Sequence, residues 1–389
     1  MLYNNSYDVA VCGGGIAGIS AALAAARGGK RVVLFEKQYM LGGLATAGLI
    51  TIYLPLCDGC GKQVSFGIAE ELFRLSIKYG AEERYPENWL DGVGERGMTD
   101  KRFEVRYNAQ VFAILAEKLL LDTGVDILYG SYAVDVEKDG DRISAVHIVN
   151  KSGTTAYSVE SVIDATGDCD IAHFASVPTE TFKQGNILAA WYYFTDKNGY
   201  DLKILGALDV PGEDRTPAEV TPLVNRLFGG LDGKEISEMM CLSHQQTLRD
   251  WLRRRESDDT TVISTIATTP QIRMTRKIVG EYTLLDTEEH KYFESSIGMV
   301  SNWKKRGPIY EVPFETLYNK EVKNLLVAGR CTSVNEELWD VMRVIPCCAV
   351  TGEAAGTAAA LTSDFAALDV STLQSKLKET GVVLHESDL

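Results

Sequence analysis

A glycine-rich run at residues 13–18, GGGIAG, is the first stretch of the chain whose spacing is typical of a ligand-binding loop. It has the spacing G-x-G-x-x-G and lies between a predicted strand at 7–12 and a predicted helix at 16–27. At such a turn, backbone N–H groups and the positive end of the helix dipole face a pyrophosphate. The run therefore predicts a dinucleotide site.

Glu36 ends the next predicted strand, at 31–36, about 20 residues beyond the glycine run. An acidic side chain at this place hydrogen-bonds both ribose hydroxyls of an adenosine. A phosphorylated ribose is disfavoured, because its charge would face the carboxylate. The two features together fit NAD and FAD equally, so the choice of cofactor depends on later segments.

Three later segments resemble the FAD-dependent oxidoreductases of the glutathione reductase and succinate dehydrogenase superfamily. The first is the Gly-Gly turn at 42–46, which in these proteins lies along the flavin pyrophosphate and ribityl chain. The second is the strand at 162–168, which ends in Ala-Thr-Gly-Asp and closes over the cofactor in that superfamily. The third comprises residues 324–330 and 343–361, similar to the C-terminal FAD segment of bacterial FAD-dependent oxidoreductases. A weaker resemblance to the same superfamily lies at 270–282.

The resemblance implies an α/β fold. It would hold a Rossmann-like FAD-binding domain, with a parallel sheet and an antiparallel three-stranded appendage, plus an inserted substrate domain. It also implies that the helix after Arg343 points its N-terminus at the flavin pyrimidine edge, where its partial positive charge favours the anionic reduced cofactor. The expected FAD-binding residues are Gly13, Gly15, Ile16, Ala17, Gly18, Glu36, Lys37, Gly43, Leu44, Ala45, Thr46, Val134, Ala165, Thr166, Gly167, Gly329, Arg330 and Gly352.

Two arginines are the candidates for holding a substrate over the flavin. Arg343 precedes the FAD-facing helix, and Arg273 lies in the weakly matching segment at 270–282. A planar guanidinium can clamp a carboxylate or stabilise a developing oxyanion, whereas a structural ion pair is the alternative for both residues. His173 and Tyr310 are weaker candidates for moving a proton, and packing or helix capping is the simpler interpretation of each.

Cys57 and Cys60 form a C-x-x-C in a predicted loop near the flavin, so a dithiol that relays electrons is one hypothesis. Flavin disulfide reductases usually carry their pair with wider spacing on the helix after the Gly-Gly turn, which this chain lacks. No second C-x-x-C or histidine pair completes a zinc ligand set, so we expect no metal. The chain has 8 cysteines and no export signal, and free thiols are therefore expected.

These residues require elements that bring them together. The strand, helix and strand from residue 7 to residue 36 predict a βαβ unit. Further elements are predicted as helices at 68–79, 108–122, 218–231, 234–256 and 347–361, strands within 125–163 and at 322–328, and a loop at 85–100. The predicted domains are a discontinuous FAD-binding domain (1–56, 100–181 and 311–362), an excursion near the flavin (57–99), a substrate domain (182–310) and a C-terminal helical tail (363–389).

The charge of the chain limits its partners. Its 389 residues include 39 basic and 54 acidic ones, and the formal charge of -15 repels nucleic acid and anionic membranes. The apolar stretch at 9–26 is interrupted by glycines and has no basic region before it, so neither a signal peptide nor a membrane span is predicted. We therefore expect a cytoplasmic protein that does not bind nucleic acid or insert into a membrane.

The leading hypothesis is an FAD-dependent oxidoreductase that transfers hydride between flavin N5 and a small, polar or anionic organic substrate. One alternative is a flavin electron-transfer subunit that works with a partner protein, although no iron–sulfur cysteine pattern supports it. Another is a protein that uses FAD to modify a macromolecule, and the acidic charge argues against RNA in that role. The residues leave the electron acceptor, the direction of reaction and the oligomeric state open.

Overall fold

The structure is a computed structural model, and it describes residues 4–54, 56–60, 62–79, 105–206 and 222–389. The loop predicted at 85–100 lies outside these residues. The strands are β1 (Ser6–Cys12), β2 (Val32–Glu36), β3 (Ile52–Tyr53), β4 (Val105–Arg106), β5 (Asp126–Tyr129), β6 (Tyr132–Asp139), β7 (Arg142–Asn150), β8 (Gly153–Asp164), β9 (Thr179–Thr181), β10 (Tyr192–Asp196), β11 (Gly199–Lys203), β12 (Val262–Ile266), β13 (Arg276–Ile278), β14 (Ser296–Ser301), β15 (Ile309–Pro313) and β16 (Leu325–Val327). The helices are α1 (Ile16–Arg27), α2 (Ile68–Ile77), α3 (Ala109–Asp122), α4 (Asp170–Phe174), α5 (Gly233–Ser257), α6 (Glu336–Met342), α7 (Ile345–Leu361) and α8 (Val370–Glu379).

A parallel sheet forms the centre of the fold. Its strand order is β5-β2-β1-β8, and β16 also pairs with β8 in parallel. Every residue of β2 is buried, as expected for a parallel strand covered on both faces. The register sets Cys12 beside both Phe35 and Asp164, so the carboxyl ends of β1, β2 and β8 lie along one edge. Ligands of such sheets bind at that edge.

The antiparallel appendage is built from β6, β7 and the first half of β8. The three-stranded appendage predicted from the resemblance is present, and its third strand also belongs to the parallel sheet. β8 is one strand of 12 residues that leaves the appendage and continues into the parallel sheet. A continuous strand keeps the hydrogen-bond ladder unbroken between the two parts, so no additional turn is needed.

Helices α1 and α7 pack against each other behind the cavity edge of the sheet. A Cβ added at Gly352 would lie 2.3 Å from the Ala17 carbonyl oxygen, and one at Gly356 would lie 2.2 Å from that of Ala21. These distances are far below van der Waals contact, so the two helices approach each other only because both positions are glycine. The small residues of α7 therefore serve helix packing.

The part of the chain predicted as a substrate domain holds the small sheet β11-β10-β12 and the 25-residue helix α5. Asp232 caps α5, because its side chain accepts hydrogen bonds from the backbone of Lys234 and Glu235. The helix predicted at 218–231 is wrong over residues 222–231, and its first residues lie outside the described part of the chain. Phe228 instead forms a backbone bridge with Asn186, and Gly230 adopts a φ of 79° that ends any helix there.

In the described ranges, no single helix is both long and apolar enough to cross a membrane. α6 and α7 reach the necessary length and hydropathy only as a pair, and that pair is bent by 88° at its break.

Candidate FAD and substrate site

A cavity of about 810 Å³ lies at the carboxyl edge of the parallel sheet. It is lined by residues 12, 13, 15–17, 35–40, 42–45, 131–133, 165–168, 170, 230, 236, 268–270, 272, 328–330, 343, 345 and 348. The predicted FAD-binding residues in this lining are Gly13, Gly15, Ile16, Ala17, Glu36, Lys37, Gly43, Leu44, Ala45, Ala165, Thr166, Gly167, Gly329 and Arg330. The glycine run and the later segments, which are far apart in the chain, thus meet at one cavity.

The glycine run forms the turn from β1 into α1. Gly13 has a φ of 105°, and a Cβ there would lie 2.3 Å from the Ala165 carbonyl oxygen, so only glycine fits this position. A Cβ added at Gly15 would meet no atom within 4 Å, which leaves open space between the loop and the cavity. Gly18 was predicted to bind FAD but does not line the cavity. Its Cβ would lie 1.8 Å from the Gly13 carbonyl oxygen, and the position therefore maintains the turn.

The carboxylate of Glu36 is buried at the end of β2, with 4% of the residue exposed. Its Oε2 accepts a hydrogen bond of 2.7 Å from the Gly14 N–H, and its Oε1 accepts one of 2.7 Å from the Gln38 N–H. Burial raises the pKa of Glu36 above its ordinary value. The two backbone bonds orient the carboxylate and leave lone pairs for the ribose hydroxyls of an adenosine.

Val134 was predicted to bind the cofactor, but its residue is 41% exposed and lies outside the cavity lining. The preceding residues Ser131, Tyr132 and Ala133 line the cavity instead. The β6–β7 register shifts between Ala133 and Asp135, and this irregularity changes which side chains face inward. A bulge of this kind is not visible in an alternating sequence pattern.

The Gly-Gly turn lies beside the glycine run. The Gly42 N–H donates to the Gly14 carbonyl oxygen at 2.8 Å, and a Cβ at Gly43 would lie 3.3 Å from the Gly15 Cα. Leu44 and Ala45 line the cavity, but Thr46 is fully buried and does not. Its hydroxyl donates to the Leu41 carbonyl oxygen at 2.5 Å, so it closes the turn from behind.

The loop at the end of β8 is held by the buried carboxylate of Asp164. This carboxylate accepts hydrogen bonds from the Thr166 N–H at 3.1 Å, the Thr166 hydroxyl at 2.7 Å and the Ala172 N–H at 3.1 Å. Burial raises the pKa of Asp164 to about 6. At neutral pH the ionised carboxylate accepts all three bonds and fixes residues 165–168 along the cavity.

Asp164, Cys169 and Cys331 form a buried group whose donor atoms lie within 4.8 Å of one another. The Cys169 N–H donates to the Cys331 sulfur at 3.2 Å, and that thiol lies 3.9 Å from the Asp164 carboxylate. Burial raises the pKa of both thiols, so both remain protonated at neutral pH. The carboxylate already accepts bonds from its own loop, and the group therefore ties the loops after β8 and β16 together.

Arg330 crosses from the loop after β16 towards the inserted part of the chain. Its Nη1 donates to the Ile272 carbonyl oxygen at 2.6 Å, and its Nη2 lies 3.5 Å from an Asp168 carboxylate oxygen. Gly167 has a φ of 78°, and a Cβ there would lie 2.3 Å from Arg330 Nη2. The guanidinium therefore packs directly on the glycine of the Ala-Thr-Gly segment.

The first turn of α7 reaches the cavity through Ile345 and Cys348. Burial raises the pKa of the Cys348 thiol to about 12, and this thiol donates to the Arg343 carbonyl oxygen at 3.2 Å. Gly352 was predicted to face the flavin but does not line the cavity, because it lies against α1. The two positions lie on the same side of α7, but Gly352 is one turn, about 6 Å, further along the helix axis, where α1 covers that side.

Arg343 lines the cavity, and 9% of its side chain is exposed. Its Nε donates to an Asp340 carboxylate oxygen at 2.7 Å, and its Nη2 contacts the same oxygen. Lys304 Nζ lies 2.6 Å from the other oxygen. Burial alone would raise the pKa of Asp340, but the charges of Arg343 and Lys304 outweigh it and lower that pKa. The predicted substrate arginine is thus held in place by an ion pair.

The other sequence candidates lie away from the cavity lining. Arg273 is 2% exposed, donates to the Gly206 carbonyl oxygen at 3.2 Å and lies over the Trp191 ring. His173 is exposed near the end of α4, and the buried Tyr310 donates to the Asp286 carbonyl oxygen at 2.9 Å. Arg273 thus has a packing environment that its spacing in the sequence did not indicate.

The C-x-x-C also lies outside the cavity lining. Cys57 is buried and Cys60 exposed, and neither forms a disulfide with a cysteine that the structure describes. The Asp58 side chain accepts from the N–H groups of Cys60 and Lys62, and the Gly307 N–H donates to the Asp58 carbonyl oxygen at 2.9 Å. These bonds form a turn docked on the loop before β15, which accounts for the spacing of the cysteines.

Sequence reasoning missed the residues that the inserted part contributes. Thr268, Thr269, Pro270 and Ile272 line the cavity from one stretch of chain, and Gly230 and Ile236 from another. The weaker resemblance at 270–282 was the available signal, but the residue predicted from it was Arg273, which does not line the cavity. A side chain beyond a strand such as β12 can be assigned to a cavity only when its tertiary contacts are known.

The comparison with known proteins agrees with this geometry. The FAD dependent oxidoreductase family matches residues 8–189 and 195–377. The L-aspartate oxidase of Mycobacterium tuberculosis is 27% identical over 216 residues, which cover 49% of this chain and 41% of that protein. The digeranylgeranylglycerophospholipid reductase of Picrophilus torridus is 28% identical over 196 residues, which cover 48% and 46%. The matches thus span less than half the length of these curated relatives.

Among solved structures, the p-nitrophenol 4-monooxygenase of Pseudomonas putida has a TM-score of 0.49 and 12% identity, with 96% of this chain and 81% of that chain covered. The family match extends over both the glycine run and the first turn of α7. The chain therefore belongs to the FAD dependent oxidoreductase family.

Proposed function

We propose that the protein transfers hydride between N5 of FAD and a small organic acid. The observation that carries this proposal is the continuity of the cavity. The glycine run, Glu36, Arg343, Cys348 and residues 268–270 and 272 all line it, and we assign the first two to one end and the others to the second end. A dinucleotide bound along the first end directs its flavin towards the second, where a substrate of moderate size fits beside it.

When bound, FAD supplies the hydride chemistry, so the protein has to bind, orient and shield the substrate. The N-terminus of α7 contributes a partial positive charge at the second end of the cavity. Arg343 adds a guanidinium whose orientation Asp340 fixes. Both features favour a negative group in this part of the cavity, which supports an anionic substrate.

The names of two relatives are compatible with a substrate that carries a negative group. L-aspartate oxidase is named for an amino acid with two carboxylates, and it matches about half of this chain. The digeranylgeranylglycerophospholipid reductase is named for a lipid with an anionic phosphate. Both named molecules carry a negative group. Arg343 at the cavity could bind such a group even though the chain as a whole is acidic.

Anaerobic rapid mixing of the FAD-loaded protein with defined acids tests the proposal. The panel is L-aspartate, succinate and L-lactate, with succinamide and L-lactamide as neutral counterparts. We expect at least one acid to bleach the oxidised flavin band, and its amide to react at least about tenfold more slowly, the ratio for about 1.4 kcal/mol of lost binding. Equal rates for the acids and amides, or no reduction by any acid, would contradict an organic-acid substrate.

Arg343→Lys tests the residue that we assign to the acid. Lysine keeps the charge but cannot reproduce the paired, planar donors, so the reduction rate should fall about tenfold. FAD content should remain that of the wild type. Arg253→Lys is the matched control, because Arg253 pairs with Asp250 on α5 and lies outside the cavity lining. A wild-type reduction rate, or loss of FAD, would assign Arg343 to structure instead.

A further inference from the structure

We propose that the segment at 268–272 is the substrate-binding wall of the cavity, and that the hydroxyls of Thr268 and Thr269 orient a carboxylate or carbonyl oxygen of the substrate. This inference rests on the proposed function, because it assumes that the substrate carries such an oxygen. It assigns substrate contacts to a part of the chain outside the FAD motifs.

The beginning of the segment is fixed to the flavin side of the cavity. The Thr268 N–H donates to the Ala47 carbonyl oxygen at 2.8 Å, and Gln271 Nε2 donates to that of Gly48 at 2.6 Å. Ala47 and Gly48 come one residue after Leu44 and Ala45, which line the cavity beyond the Gly-Gly turn. The Gln271 side chain also accepts from the Trp191 N–H at 3.1 Å, and this bond fixes its orientation. Thr268 and Thr269 therefore have a fixed position next to the segment at 44–48.

The end of the segment is fixed to the loops that follow β8 and β16. Arg330 Nη1 donates to the Ile272 carbonyl oxygen at 2.6 Å. The Thr275 hydroxyl donates to Asp168 Oδ1 at 2.8 Å, and Arg276 Nη2 donates to Asp170 at 2.7 Å. The wall is therefore anchored on both sides of the cavity, and such preorganisation lowers the entropic cost of orienting a ligand.

The side chains that this wall presents have two kinds of chemistry. Thr268 is exposed and Thr269 half-buried, both line the cavity, and neither hydroxyl makes a hydrogen bond to any residue that the structure describes. Pro270 and Ile272 add apolar surface next to them. Two available donors beside an apolar surface fit an acid whose oxygen meets the hydroxyls and whose hydrocarbon part lies on Pro270 and Ile272.

The test compares substitutions that separate the hydroxyl from the shape of the side chain. Thr268→Val and Thr269→Val keep the branched shape and remove the hydroxyl, whereas Thr268→Ser and Thr269→Ser keep the hydroxyl. Thr265→Val is the matched control, because Thr265 belongs to β12 and lies outside the cavity lining. FAD content and Tm are measured for every variant, so that a folding defect is recognised.

Two readouts are used on each FAD-loaded variant. The first is kcat/KM with the acid that reduces the wild-type flavin fastest, and the second is the dissociation constant of acetate from its perturbation of the flavin absorbance. We expect each valine variant to lose about tenfold in both quantities, the effect of one hydrogen bond to a charged acceptor. The serine variants and Thr265→Val should remain near wild type.

Wild-type values in the valine variants would overturn the inference, as would equal losses in the serine and valine variants. Reduced FAD content in the valine variants would also overturn it, because the hydroxyls would then contact the cofactor. Acetate binding keeps this test separate from the proposed function. If acids fail to reduce the flavin but acetate affinity still depends on the hydroxyls, the proposed reaction fails and the binding wall stands. If acetate does not bind the wild-type protein, the wall fails.

Discussion

The two ends of the cavity are built in different ways. At the adenosine end, the glycine run and Glu36 lie within 24 residues of each other, and their contacts are made largely by the backbone. At the end that we assign to the substrate, the lining comes from residues 44, 45, 268–270, 272, 343, 345 and 348, which are distant in the chain. A dinucleotide has the same covalent structure in every enzyme that binds it, whereas substrates differ. We therefore expect backbone geometry to select the cofactor at one end, and exchangeable side chains to select the substrate at the other.

This contrast predicts distinct effects of substitution. Changes behind the adenosine end should affect folding or FAD retention, because the backbone contacts there also hold the sheet and its helices together. Changes at the substrate end, such as Arg343→Lys, should leave FAD bound and alter only turnover. Three further experiments test whether this division is real.

Gly352→Glu should have the largest effect. The new side chain would collide with α1, where a Cβ already comes within 2.3 Å of the Ala17 carbonyl oxygen, and a carboxylate would be buried without a partner. Overpacking costs about 1–3 kcal/mol and an unpaired buried charge adds several more, comparable to the whole free energy of unfolding. We expect aggregated protein or a Tm lowered by more than about 10 °C, measured by thermal unfolding.

Gly233→Glu is the control for this substitution. A Cβ at Gly233, the first residue of α5, meets no atom within 4 Å, and the Tm should barely change. If Gly352→Glu instead folded normally but had a lowered flavin reduction potential, Gly352 would belong to the cofactor site and not to the packing of α1 on α7.

Asp164→Asn should remove a pH dependence of stability of about 3 kcal/mol. Burial raises the pKa of Asp164 from 3.8 to about 6, so the folded protein binds a proton more tightly than the unfolded chain between these values. The free energy of unfolding should therefore fall as pH rises from about 4 to 6, by roughly 1.4 kcal/mol per pH unit. Denaturant unfolding at several pH values measures this slope in the wild type and in the variant.

Asp135→Asn provides the comparison, because Asp135 is exposed on β6. The slope should survive in this variant and become smaller in Asp164→Asn, where the raised pKa values of Glu353 and Glu36 still contribute. Identical slopes in the wild type and Asp164→Asn would mean that Asp164 does not titrate in this window.

Glu36→Arg should weaken FAD binding about 10²-fold, the loss expected when hydrogen bonds to an ionised acceptor are removed. The substitution also removes the acceptor of the Gly14 N–H, which would loosen the glycine run. The dissociation constant of FAD, obtained from flavin fluorescence on rebinding, measures the effect. Glu160→Arg makes the same charge change at an exposed position and should bind FAD normally. An unchanged affinity of Glu36→Arg for FAD would show that Glu36 does not contact the adenosine ribose.

The sequence alone determined the parts of this protein whose geometry is local. The strand, glycine turn and helix at residues 6–27 follow from glycine spacing and apolar periodicity, and the structure places them as predicted. Glu36 could be placed at a strand end because a buried parallel strand is a short apolar run bounded by polar residues. The resemblance of the later segments identified FAD, because a cofactor of constant shape requires the same small residues at the same places.

The tertiary structure alone decided which residues of each motif face the cavity. Gly18 and Gly352 share motifs with cavity residues but make close packing contacts, and the residue that a helix turns towards a ligand depends on its neighbours. Arg343 and Arg273 appear equivalent in the sequence, yet one lines the cavity beside Asp340 and the other is buried beside Trp191. The wall at 268–272 forms only because hydrogen bonds from distant residues hold it there, and such long-range contacts leave no periodic signal in the chain.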